Sequence, residues 1–142
     1  MGAWSDPGAC MSVDSSLTYK YYGQLNDTTR HYYTGKTSPE FWDTLNQKFD
    51  LIKYKTVLPT TDMNVSDVHY FEIIVHWKNK KRRIVRVGLG TDTVLTVMRW
   101  LNNSHYKMSL RQSKTPIKFE TTFQNPPPGP KIDSVNFPTT TK

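Results

Sequence analysis

The chain has 142 residues, a net charge of +7, one cysteine and an aromatic share of 13%, high enough for a modest aliphatic count to build a core. That length fits one domain that needs no disulfide or metal to fold. A single cysteine excludes an intramolecular disulfide framework, and no run of about 18 apolar residues exists to form a membrane-spanning helix.

The charge is unevenly spread. Residues 1–72 hold nine acids and six cations, residues 73–142 three acids and thirteen cations, and no acid lies between Glu72 and Asp92. This asymmetry points to an anionic partner for the second half, whether nucleic acid, another polyanion such as a glycan, a membrane surface or an acidic protein, or else to solubility alone.

Residues 1–15 are expected to be a flexible leader, with Cys10 a mobile linker thiol. The folded domain is expected over residues 16–123. Residues 124–142 hold five of the nine prolines and are read as a Pro/Thr-rich tail or linker. No signal peptide is legible. The chain is intracellular if complete, and secreted or cell-surface if a targeting segment was removed.

In "SLTYKYYGQLNDTTRHYYTG" the spacing predicts a hairpin. Leu17, Tyr19, Tyr21 and Leu25 line one face and Lys20, Tyr22 and Gln24 the other, with Asn26 and Asp27 in the turn. "TSPEFWDTLNQKFDLI" predicts a helix capped by Ser38, with Pro39 at its first position and a stripe of Phe41, Leu45, Phe49 and Ile52. Residues 51–58 fit helix or strand equally. "PTTDMNVSD" is a loop.

"DVHYFEIIVHW" is the clearest strand. His69, Phe71, Ile73, Val75 and Trp77 face the core, and Tyr70, Glu72, Ile74 and His76 face outward. A turn over residues 78–81 leads into "RRIVRVGL", where Val85, Val87 and Leu89 share one side and Ile84 and Arg86 the other. "GTDTVLTVMRWLNN" predicts a second helix capped by Thr91 or Thr93, with Asp92 at its start, and "IKFETTF" a last strand. The order hairpin, helix, hairpin, helix, strand implies an α+β two-layer sandwich: an antiparallel sheet with two helices on one face and the other face open.

"HWKNKKRRIVRVGLG" sets six cations between Lys78 and Arg86. Lys78, Lys80, Lys81, Arg82, Arg83 and Arg86 form a candidate anion-binding surface at the hairpin tip and along its outer face, with Tyr70 and His76 placed to stack bases. The bland reading is a strand edge kept charged against aggregation. Tyr22, Tyr32 and Tyr33 form a candidate aromatic interface, or ordinary cross-strand pairs.

No cofactor or metal is expected. The four histidines lack metal-ligand spacing, and "GLGTDT" lacks the third glycine and the Lys-Ser/Thr of phosphate loops. Asn26, Asn64 and Asn102 stand in glycosylation sequons, usable only in a secreted chain.

"GQLNDTTRHYY" followed by "SPEFWD" resembles the strand-turn-strand and early helix of class I histocompatibility-type platforms. The resemblance is confined to those two stretches. The paired platform cysteines are absent and the chain is too short for a two-half platform. It implies the ectodomain of a secreted or cell-surface glycoprotein, with the Pro/Thr tail as a stalk.

The function expected from these features is a non-enzymatic binding module, engaging a protein through an open sheet face or the basic hairpin. The alternative is a single-stranded nucleic-acid binding domain acting through residues 76–90.

Overall fold

The computed structural model describes residues 3–6, 9–60 and 70–121. Among these residues seven strands and two helices follow one another: β1 (Ala3–Asp6), β2 (Ala9–Val13), β3 (Thr18–Gly23), β4 (His31–Lys36), α1 (Pro39–Leu51), β5 (Tyr70–Trp77), β6 (Lys80–Val87), α2 (Thr93–Asn102) and β7 (Leu110–Gln112), with a short 3-10 turn over Ser104–Lys107 before β7. The strands run antiparallel in the order β6-β5-β1-β2-β3-β4-β7. The expected α+β fold, with both helices on one face of an antiparallel sheet, is the observed one. His69, Asn64 and the tail 124–142 lie outside the described residues.

Alternation builds the core. Met11, Val13, Tyr19, Tyr21, Tyr33, Phe71, Ile73, Val75 and Ile84 point from the sheet to the helix side, where they meet Leu45 and Phe49 of α1 and five apolar residues of α2. Full burial of each such side chain contributes about 1.5–3 kcal/mol. Helix α1 starts as its sequence dictates: Ser38 accepts from the Phe41 N–H at 3.0 Å, and Pro39 opens the first turn. Helix α2 is capped by Asp92, which accepts from the Val94 N–H at 2.9 Å. Gly35 is required in β4 because a Cβ there would lie 2.4 Å from the Ser109 carbonyl oxygen as the chain returns into β7.

Three expectations are corrected. The leader is not irregular: β1 and β2 lie in the middle of the sheet, and Cys10 is 1% exposed. The turn of the second hairpin is two residues long, because Lys80 already pairs with Trp77. "IKFETTF" does not form a strand over its described part. The last strand is Leu110–Gln112, and the chain then runs as a strap, residues 113–121, across the face opposite the helices.

That strap closes the face expected to be open. The Ser113 N–H bonds the Tyr32 carbonyl at 2.7 Å, Phe119 joins Cys10 and Tyr22 in a second apolar cluster flanked by Tyr32 and Ile117, and Thr121 donates to Glu72 at 2.8 Å.

Candidate binding surface at the hairpin tip

The six cations of the basic hairpin divide by chemistry. The three arginines are engaged by the fold. Arg86, expected outside, shares the helix-side face with Ile84 and is 3% exposed. Its guanidinium donates to Asp92 at 3.0 Å, to the Val85 carbonyl at 2.9 Å and to the Leu58 carbonyl at 2.8 Å. A buried cation is tolerable only with such a full set of acceptors. Arg82, also on the helix side, donates to the Val57 carbonyl. On the outer face, Arg83 donates to the buried Glu72 at 2.6 Å.

Lys81 is exposed on the outer face and donates to Glu120 at 3.0 Å; His76 meets the other oxygen of the same carboxylate at 2.6 Å. These two bonds, that of His76 foremost, hold the Glu120 carboxyl below its ordinary range. Tyr70 is half-buried opposite Val87. The expected aromatic interface is dispersed. Tyr22 is buried against Tyr32, ring centroids 4.7 Å apart, beneath the strap, while Tyr33 is in the helix-side core, 6.1 Å from Tyr21.

The lysines remain. Lys78 and Lys80 are exposed at the tip, and on its helix side they adjoin a cluster invisible from sequence spacing. Helix α1 ends in a Schellman motif: the Lys53 N–H bonds the Asp50 carbonyl at 3.0 Å and the Tyr54 N–H bonds the Phe49 carbonyl at 3.2 Å. That turn sets Tyr54 against Phe49, centroids 5.9 Å apart, and at right angles to Trp77, 5.2 Å away. Lys55 lies over both rings, its Nζ 5.6 Å from the Tyr54 centroid and 5.9 Å from that of Trp77.

Arg82 and Arg86 hold the next residues, Val57 and Leu58, against β6, and the Val85 N–H bonds the Pro59 carbonyl at 2.7 Å. The arginines thus fix the segment that presents the aromatic pair. The result is two half-buried rings with Lys53, Lys55, Lys78 and Lys80 around them, all four exposed. None of these four lysines pairs with a carboxylate among the described residues.

Sequence reading missed Tyr54, Lys53 and Lys55, and placed Trp77 wholly in the core. The signal was present in "KYK", the three residues immediately after a helix stripe ending at Ile52.

Two lysines of this cluster sit in left-handed backbone, Lys53 at φ 55 and Lys78 at φ 52. Glycine or asparagine occupies such positions at lower cost. Among the described residues no three His, Cys, Asp or Glu side chains converge on a point that could hold a metal ion, and no helix is long and apolar enough to cross a membrane. Comparison with protein-family models, with curated proteins and with solved structures finds no match to this chain.

Proposed function

We propose that the chain is a non-enzymatic binding module that captures a protein partner through an acidic segment, using the tip of the β5–β6 hairpin. The observation that carries this reading is the Tyr54–Trp77 pair set among four exposed lysines that lack carboxylate partners among the described residues. Half-buried aromatic rings anchor protein interfaces, and lysines supply steering and charge complementarity.

Single-stranded nucleic acid is the weaker fit. Base stacking needs an open ring face, whereas the two rings here meet edge to face and Lys55 lies over both. The arginines that would read phosphates bidentately already bind Glu72, Asp92 and backbone carbonyls.

The test is titration of the full chain with a fluorescent Glu/Asp-rich peptide, a single-stranded oligonucleotide and heparin, at low and near-physiological salt. The expected result is peptide binding that persists at the higher salt and weakens at least tenfold in Lys55→Glu/Lys80→Glu. Oligonucleotide binding that exceeds the peptide's, with a steep salt slope from counterion release, would assign the tip to nucleic acid instead. Peptide binding unaffected by the double substitution would remove the tip as the site.

A further inference from the structure

We propose that the outer face of the sheet is a docking groove for an extended peptide segment with the pattern aliphatic–X–aromatic–acid, and that the strap, residues 113–121, occupies it in cis. This surface lies on the opposite side of the sheet from Tyr54 and Trp77 and does not depend on the reading of the hairpin tip.

The groove is built like an interface. Its floor is Cys10, Tyr22 and Glu72, exposed 1%, 8% and 1%, on a face that alternation alone would leave wet. The strap adds no strand to the sheet. Beyond the backbone bond from Ser113 to Tyr32 at its start, its hold runs through side chains: Ile117 and Phe119 pack on the floor, Glu120 bridges His76 and Lys81, and Thr121 bonds Glu72. A segment held this way is released without breaking a β-ladder, so local opening costs far less than global unfolding.

The occupant defines the ligand chemistry. An aromatic ring seats over Cys10 and Tyr22, and the next residue's carboxylate reaches the cationic end of the groove. Glu120 is itself 39% exposed, so a partner carboxylate approaches the same cations from solvent. A segment from another protein bearing this pattern competes with the strap and displaces it.

Cys10 is the only cysteine of the chain and lies under Phe119, so its thiol reports the opening. The first experiment measures labelling of Cys10 in the full chain against urea concentration. Local lifting of the strap gives a rate nearly independent of urea at low concentration, joining the global unfolding line only near the transition. A rate that follows the global line down to zero urea overturns the proposal.

The second experiment uses Phe119→Ala, checked for folding by circular dichroism, with Glu120→Lys as the alternative variant should the first fail to fold. Labelling is expected to rise at least tenfold. A synthetic peptide with the sequence of residues 113–121 should slow it again, and the same peptide carrying Phe119→Ala and Glu120→Lys should not. Equal protection by both peptides, or none by either, overturns the proposal. Concentration-dependent dimerisation of the full chain that protects Cys10 overturns it in favour of a second copy as the occupant.

Discussion

His105 is 5% exposed, and its ring stacks on Tyr21 with centroids 4.2 Å apart. Burial disfavours the imidazolium and lowers its pKa, opposed only in part by the Asn102 backbone carbonyl. The folded state therefore takes up this proton less readily than the unfolded chain. Stability from this site is complete above the ordinary imidazole range and declines as pH falls below about 6.5 toward the depressed folded value. Urea unfolding at about pH 8 and about pH 5 should show a lower midpoint in acid, and His105→Gln should shrink that difference; an unchanged difference would place the acid sensitivity elsewhere.

Lys53 and Lys78 carry a backbone cost. Their left-handed backbone implies that Lys53→Gly and Lys78→Gly each stabilise the fold, by about 0.5–1 kcal/mol, while weakening capture of an acidic peptide. Thermal unfolding and the peptide titration read the two effects separately, and a loss of stability in both variants would refute the backbone argument.

Helix α2 is tied to the sheet through its own cap. Asp92 caps its first turn and is also the carboxylate that neutralises the buried Arg86. Asp92→Ala removes a cap worth about 1 kcal/mol and strips an acceptor from a guanidinium that keeps only carbonyl partners. A loss of about 2 kcal/mol or more is expected by urea denaturation. Asp92→Asn, which retains the cap, should recover the capping share, and full recovery would mean that the charge contributes nothing.

The elements also show what was legible. Helix α1 was readable from Ser38, Pro39 and its apolar stripe because those signals are local. The β5–β6 pair was readable from alternation, and that alternation already put Arg86 with Ile84. Its charge argued for solvent, and only the distant Leu58 carbonyl and Asp92 reverse that. β1 and β2 were hidden because "SDPGAC" carries turn residues, and strand status there is conferred by neighbours on both sides. The strap misled in the opposite direction. Ile117 and Phe119 alternate as in a strand, but they pack on a sheet face and join no edge.

At the scale of the molecule, β1 is the joint. The β5–β6 hairpin and the β2–β3–β4 meander belong to one sheet only because β1 pairs with β2 over four residues and with β5 through Trp4 and Ser5. The main core requires both halves: α1 and α2 pack into a single cluster with residues from β2 through β6. Neither half can bury that surface alone, so the domain should unfold as one unit. Ser5 pairs with Cys10 on one side and Glu72 on the other, a position where proline loses a ladder donor in the interior of a sheet. Ser5→Pro is expected to abolish cooperative unfolding, seen as loss of the sigmoidal urea transition and of Cys10 protection together. Lys114→Pro, in the strap, is the control and should shift stability by no more than about 0.5 kcal/mol. A Ser5→Pro chain that kept a single transition near the original midpoint would mean the two halves are joined through the helices and not through the sheet.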